Sequence, residues 1–128
     1  MSKAVLDASA ILAVLNQEPG GERLTLQLLS DAVSSAVNLA EVHSKLVARG
    51  GDPEEAWEDA LSPLAEVVPF TAAHAKIAGS LVAETRALGL SLGDRACLAL
   101  GLALKTPVYT ADRSWKKLKL RVKIHVIR

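Results

Sequence analysis

Cysteine and aromatic residues are scarce in this sequence, and each scarcity excludes a class of protein. Among 128 residues there is one cysteine, so no internal disulfide forms and a disulfide-stabilised secreted domain is excluded. That residue, Cys97, lies in an apolar run, which is typical of a small buried hydrophobic side chain. Two tryptophans, one tyrosine and one phenylalanine are too few for the stacking platforms of single-strand nucleic-acid binders.

Long apolar runs and phosphate-binding glycine loops are also missing. No apolar stretch approaches the roughly 20 residues that a membrane helix needs, and no Walker-type or dinucleotide-type glycine motif is present. Charged residues follow soon after Met1, so we expect no signal peptide. With 50% hydrophobic residues and a net charge of +1, the sequence predicts one soluble, cytoplasmic domain over residues 1–128.

Short apolar segments alternate with helical patterns along the whole chain. Strands are predicted at 3–6, 32–37, 66–70, 107–111 and 122–127, and helices at 8–15, 22–30, 39–49, 54–61, 72–88 and 96–104. This alternation predicts an α/β fold with a mostly parallel five-stranded sheet covered on both faces. The helices at 8–15 and 96–104 are apolar nearly all round, so they are either central or packed against a second chain.

Four acidic residues stand at the ends of predicted elements. Asp7 and Asp112 follow apolar strands, whereas Glu41 and Asp94 fall in the first turns of helices that Asn38 and Ser91 would cap. Each acid alone has a structural explanation, as a helix cap or as half of a capping box. Together they point to a shared site, because ligands of parallel sheets bind in the crevice outside the carboxyl ends of the strands.

Four carboxylates in one crevice would repel one another, and a fold tolerates that arrangement when a cation binds there. Carboxylate oxygens without matching histidines or cysteines favour hard ions, so we expect Mg²⁺ or Mn²⁺. Such an ion suits the hydrolysis of a phosphodiester. Ser9 and Thr110 lie one or two residues from Asp7 and Asp112, where their hydroxyls would orient a ligand, cap a helix or bond to the backbone.

A basic segment follows Asp112. From Arg113 to the end of the sequence there is no acid, and the segment begins with Arg113, Lys116 and Lys117 as candidate RNA-binding residues. A run of this kind attracts a nucleic-acid backbone. It equally suits a charged edge that keeps the last strand from pairing with other chains.

The sequence contains four distinctive motifs, VLDASAIL, NLAEV, SLGDRACLALGLAL and VYTADRSW. With these motifs it resembles the PIN-domain ribonucleases, most closely the VapC-like toxins of toxin-antitoxin pairs. The resemblance implies a three-layer α/β/α sandwich with an acidic pocket at Asp7, Glu41, Asp94 and Asp112 and a small hydroxyl residue at Ser9. It further implies Mg²⁺ or Mn²⁺, cleavage of RNA leaving a 5′-phosphate, a homodimer, and inhibition by a small VapB-like antitoxin.

Two alternatives stay open at the level of sequence. A phosphatase or receiver protein would phosphorylate one aspartate, but a receiver needs paired acids after the first strand and a dehalogenase-like phosphatase needs an aspartate where Ser9 stands. The second alternative is a non-catalytic interaction module on the PIN scaffold. Loss of pocket acids would indicate such a module, and all four acids are present.

Overall fold

The computed structural model describes residues 3–128, and its centre is a sheet of five short strands. All neighbouring strands are parallel and lie in the order β3-β2-β1-β4-β5. The strands are β1 (Ala4–Leu6), β2 (Ala32–Ser35), β3 (Glu66–Val68), β4 (Val108–Thr110) and β5 (Ile124–Val126). The predicted five-stranded parallel sheet is therefore confirmed. We call the side on which the strands end the carboxyl edge and the opposite side the amino edge.

Helices connect the strands and cover both faces of the sheet. They are α1 (Ala8–Leu15), α2 (Leu26–Leu29), α3 (Ala36–Ala48), α4 (Pro53–Leu61), α5 (Ala72–Ser80), α6 (Val82–Thr85) and α7 (Leu92–Leu104), with 3₁₀ turns at Gly21–Arg23, Arg86–Leu88 and Arg113–Lys117. No helix within residues 3–128 combines the length and apolarity of a membrane span.

Two hydrophobic cores lie on opposite faces of the sheet, because successive side chains of a strand point to opposite sides. Leu6 packs with Ile11 of α1 and Leu39 of α3 on one face. Val5 packs with Leu98 of α7 and with Trp115 on the other. The result is the predicted three-layer α/β/α arrangement, in which most of α1 and the middle of α7 are buried by their own chain.

The start of α3 differs from the prediction. The predicted strand at 32–37 ends at Ser35, whose hydroxyl accepts a hydrogen bond from the Val37 N–H at 3.2 Å and caps α3. Asn38 is therefore inside the helix and is not its cap, so the predicted capping box of Asn38 with Glu41 is wrong. The actual cap moves the start of α3 three residues earlier and buries Asn38.

Two other predicted helices are divided. The helix predicted at 22–30 becomes a 3₁₀ turn and α2, because the Thr25 hydroxyl accepts a hydrogen bond from the Leu28 N–H and starts a new helix. The helix predicted at 72–88 is interrupted at Leu81, whose ψ of −7° departs from the −42° of a regular helix. Neither division changes the position of the four acids.

Candidate active site

All four predicted acids lie towards the carboxyl edge of the sheet. Asp7 follows β1 and Asp112 follows β4, and these two strands are neighbours at the sheet's centre. Helix α3 starts from the end of β2, which places Glu41 near that edge. Helix α7 leads to the beginning of β4, so its first turn, with Asp94, lies at the carboxyl edge as well. The strand order reverses direction beside β1, and such a switch point opens a crevice for ligands.

Asp7 is the most deeply buried of these acids, with 3% of its surface exposed. Its Oδ1 accepts hydrogen bonds from the Ala10 N–H at 2.8 Å and the Ser9 hydroxyl at 2.7 Å, and its Oδ2 accepts one from the Thr110 hydroxyl at 2.6 Å. Burial raises the pKa of the Asp7 carboxyl to about 6, although these three hydrogen bonds act in the opposite direction. The negative charge of Asp94 raises the same pKa further.

Ser9 and Thr110, the two predicted auxiliary residues, hold Asp7 against the end of β4. The Ser9 Oγ accepts a hydrogen bond from the Ala111 N–H at 2.9 Å, and the Thr110 Oγ1 accepts one from the Asp112 N–H at 3.1 Å. Each hydroxyl has a single proton, which it gives to Asp7. The 3.2 Å approach of the two hydroxyls is therefore not a hydrogen bond while Asp7 is ionised. This network joins Asp7 to Asp112 through Thr110.

Glu41 is held by two residues that the sequence did not identify as functional, Asn38 and Gly93. The Asn38 Nδ2 donates to Glu41 Oε1 at 3.0 Å and to the Gly93 carbonyl oxygen at 2.9 Å, which joins α3 to the start of α7. A Cβ added at Gly93 would lie 2.5 Å from Glu41 Cδ and closer still to Oε1. Gly93 thus makes room for the Glu41 carboxylate. The buried Asn38 Oδ1 has no partner within residues 3–128.

Asp94 and Asp112 each combine a capping bond with a free oxygen. Asp94 Oδ2 accepts from the Ser91 N–H at 2.9 Å, and Asp94 and Ser91 form the predicted capping box of α7. Asp112 Oδ1 accepts from the Ser114 N–H at 2.9 Å and from its hydroxyl at 2.8 Å. The second oxygen of each carboxylate has no donor within residues 3–128 and remains available to a ligand.

The negative charges of Asp7, Asp94 and Glu41 all act on the thiol of Cys97, which is buried in α7. Burial is the largest cause that raises the pKa of the Cys97 thiol, and the three carboxylates each raise it further. Within residues 3–128, however, no three His, Cys, Asp or Glu side chains are grouped closely enough to hold an ion as they stand. We call Asp7, Glu41, Asp94 and Asp112 together the acid crevice.

The acid crevice offers a donor set that fits a hard divalent cation. Its available groups are carboxylate oxygens, and no histidine of residues 3–128 is hydrogen-bonded to them. A cation would also favour the ionised form of Asp7, which burial and the charge of Asp94 disfavour. The predicted basic residues Arg113, Lys116 and Lys117 are exposed in the 3₁₀ turn directly after Asp112, and the Arg113 Nε donates to the Arg128 carbonyl oxygen.

Comparison with known proteins identifies the family of this fold. The profile of the PIN domain matches residues 4–120. None of the curated proteins matches the sequence. Among solved structures, the fold is similar to a chain of VapBC2 from Rickettsia felis bound to a DNA fragment from their promoter, with a TM-score of 0.75, 20% identity and coverage of 98% of both chains.

Two further structures show the same fold. A chain of DNA-bound VapBC from Salmonella typhimurium has a TM-score of 0.75 and 22% identity over 100% of both chains. VapC20 from Mycobacterium tuberculosis, described as a sarcin-ricin loop cleaving toxin, has a TM-score of 0.74 and 20% identity over 94% of this chain and 99% of its own. The domain match and the five-stranded sheet agree: the chain belongs to the PIN-domain family, with a VapC-like fold.

Proposed function

We propose that this PIN-domain protein is a VapC-type toxin that cleaves RNA phosphodiester bonds as a Mg²⁺- or Mn²⁺-dependent endoribonuclease. The observation that supports this most is the hydrogen-bond network that joins Asp7 to Asp112 through Thr110, while Asn38 joins Glu41 to the first turn of α7, which carries Asp94. Two structures with the same fold are VapBC complexes, and a third, VapC20, is described as a sarcin-ricin loop cleaving toxin.

The ion would be held by the four carboxylates of the acid crevice, Asp7, Glu41, Asp94 and Asp112. The chemistry that such an ion supplies when bound is the activation of water and the neutralisation of charge on the phosphoryl oxygens. Ser9 and Thr110 fix both oxygens of Asp7, and Asn38 fixes Glu41, so these two carboxylates are already oriented. Asp94 and Asp112 each direct one unbonded oxygen to a ligand. Exposed Arg113, Lys116 and Lys117 would attract the RNA backbone to this edge.

The partners that we propose are a small VapB-like antitoxin and a second copy of this chain, both in the cytoplasm. Exposed apolar side chains supply candidate contact surface: Leu92, beside the acid crevice, is 54% exposed, and Leu26 is 87% exposed. Because most of α1 and residues 96–101 of α7 are already buried within their own chain, a dimer would cover only the exposed ends of α7, at Leu92 and Leu104. Light scattering at micromolar concentration measures the oligomeric state, and a monomer would count against the dimer.

RNA cleavage by the purified protein tests the proposed activity. We expect cleavage of total RNA with Mg²⁺ or Mn²⁺, none with EDTA, and products that carry a 5′-phosphate. Asp112→Asn and Asp94→Asn should abolish cleavage while the fold survives, because asparagine can still accept the capping hydrogen bonds. Asp59→Asn is the matched control, since Asp59 is an exposed acid of α4. Wild-type rates from both crevice variants would refute the assignment.

The phosphatase alternative has less support from the geometry of Asp7. A nucleophilic aspartate must expose one carboxylate oxygen to its substrate, whereas both oxygens of Asp7 accept hydrogen bonds inside the protein. The non-catalytic module remains the other alternative. Failure of the wild-type protein to cleave any RNA in the presence of either metal would favour that module.

A further inference from the structure

The segment after Asp112 carries basic residues from one edge of the sheet to the other. Strands β4 and β5 are parallel, so the chain between them must return from the carboxyl edge to the amino edge. This return contains no acid, and all of its basic side chains are exposed: Arg113, Lys116, Lys117, Lys119, Arg121 and Lys123. It forms a positively charged path that starts beside the acid crevice.

The path ends at a cleft of about 520 Å³ at the amino edge. Leu102, Pro107 and Val122 provide the apolar part of its lining, to which the described part of the chain contributes no acidic residue. Three basic residues from two separate parts of the chain meet there: Lys105, Arg121 and Lys123. We call this group the basic cleft.

The walls of the basic cleft are held in place by the backbone. The Val108 N–H donates to the Lys123 carbonyl oxygen at 2.9 Å, which joins the beginnings of β4 and β5. The Thr106 N–H donates to the Gly101 carbonyl oxygen at 3.0 Å. A Cβ at Gly101 would lie 3.0 Å from Val122 Cγ2, so the end of α7 packs tightly against this region. The cleft is therefore preformed.

The three positive charges of the basic cleft have no acidic partner. The ion pairs within residues 3–128 are Lys3 with Glu66 and Arg128 with Glu18. Lys105 follows the last turn of α7, where a cation stabilises the helix dipole. That effect does not account for Arg121 and Lys123, which arrive from the other wall. Like charges gathered without counterions indicate a site for an anion.

We infer that the basic cleft binds backbone phosphates of a single-stranded RNA whose scissile bond lies at the acid crevice. This inference rests on the proposed ribonuclease function. Thr106 of the basic cleft and Asp112 of the acid crevice are six positions apart, so their Cα atoms are no more than about 20 Å from each other. An RNA strand spans that distance with several nucleotides along the basic path. The cleft thus binds a flanking part of the substrate and favours long RNA over short RNA.

The test measures RNA binding by the full-length protein in EDTA, which prevents metal-dependent cleavage. Fluorescence anisotropy would compare single-stranded RNAs of about 15 and about 4 nucleotides over a range of salt concentrations. The cleft variant combines Lys105→Asn, Arg121→Gln and Lys123→Gln. Asparagine is used at position 105 because the residue there has φ +53°, which asparagine tolerates.

A second triple variant controls for net charge. It combines Lys45→Gln in α3, Arg49→Gln at the C-cap of α3 and Lys76→Gln in α5. These substitutions remove the same number of exposed charges at positions away from the basic path. Thermal melts followed by circular dichroism establish that both variants are folded. All substituted side chains are exposed, so we expect melting temperatures close to that of the wild type.

For the cleft variant we expect the slope of log Kd against the logarithm of the salt concentration to fall by about two. The variant removes three positive charges, and each phosphate neutralised on a single strand contributes about 0.7 to the slope. The preference for the longer RNA should disappear, and the control variant should keep both properties. An unchanged slope in the cleft variant, or an equal loss in the control, would overturn the inference. Weakened binding of duplex DNA with unchanged binding of RNA would also overturn it.

Cleavage of the short RNA with Mg²⁺ separates this inference from the proposed function. We expect the cleft variant to cleave the short RNA at the wild-type rate, because the basic cleft is remote from the acid crevice. If the wild type cleaves RNA but the cleft variant binds long RNA normally, the cleft assignment fails and the ribonuclease stands. If the wild type cleaves nothing, the ribonuclease proposal fails whatever the binding data show.

Discussion

Replacing Asp7 with asparagine should stabilise the metal-free protein near neutral pH, although most substitutions of buried residues destabilise. The carboxyl of Asp7 has a pKa of about 6 in the folded protein, compared with 3.8 when unperturbed. A raised folded pKa means that stability is greatest when the group is protonated and is lost as pH rises through that value. A shift of about two units corresponds to about 3 kcal/mol of unfolding free energy lost above pH 6.

Asparagine at position 7 can keep every hydrogen bond of the network without the charge. Its Oδ1 would accept from the Ala10 N–H and the Ser9 hydroxyl, and its Nδ2 would donate to Thr110 Oγ1. The Thr110 proton can then turn to Ser9 Oγ, which is 3.2 Å away. Thr110 still accepts from the Asp112 N–H, so every group that is hydrogen-bonded to Asp7 in the wild type keeps a partner.

Urea unfolding in EDTA at about pH 4 and about pH 8 measures this difference. We expect the unfolding free energy of Asp7→Asn to exceed that of the wild type by up to about 3 kcal/mol at the higher pH. At the lower pH the difference should be small, because Asp7 is largely protonated there. Asp59→Asn, at an exposed position, controls for the removal of one negative charge. A variant less stable than the wild type at pH 8, or a difference that is the same at both pH values, would refute the reasoning.

Three further predictions concern the same protein. Gly93→Ala should displace the Glu41 carboxylate and reduce cleavage severely, with little loss of stability because alanine favours helices; an active variant would show that the position of Glu41 is unimportant. Mg²⁺ at a hundredfold excess over its Kd should add about 2.7 kcal/mol to the unfolding free energy of the wild type and less to Glu41→Gln, as thermal melts would reveal. Leu98→Ala should cost about 2–5 kcal/mol because Leu98 is buried, whereas Leu26→Ala, at an 87% exposed position, should cost about 0.5 kcal/mol or less in urea unfolding.

Much of the acid crevice was predictable because its residues lie beside strong local signals. Asp7 and Asp112 follow short apolar strands, and parallel strands bring their carboxyl ends to one edge of the sheet. Ser91 and Asp94 have the spacing of a capping box, which the structure contains. These features depend on a few neighbouring residues, so the sequence carries them directly.

The surroundings of Glu41 were not predictable in the same way. Asn38 and Glu41 also have the spacing of a cap and its partner, but Ser35 takes the cap and Asn38 turns to Glu41 and to Gly93, 55 residues further along the chain. The choice between Ser35 and Asn38 depends on where β2 stops pairing with its neighbours. The role of Gly93 depends on how closely α7 approaches α3, and such tertiary distances have no local signal.

The pairing of β1 with β4 has a consequence for the synthesis of this protein. Val5 lies beside Val108 in the sheet, and Asp7 takes a hydrogen bond from Thr110, so the crevice joins chain segments that are 103 residues apart in sequence. Strands β1, β2 and β3 are sequential neighbours and can pair first, whereas β4 must be inserted beside β1 afterwards. A nascent chain therefore lacks the complete acid crevice until residue 112 has left the ribosome, so the four acids come together only late in synthesis.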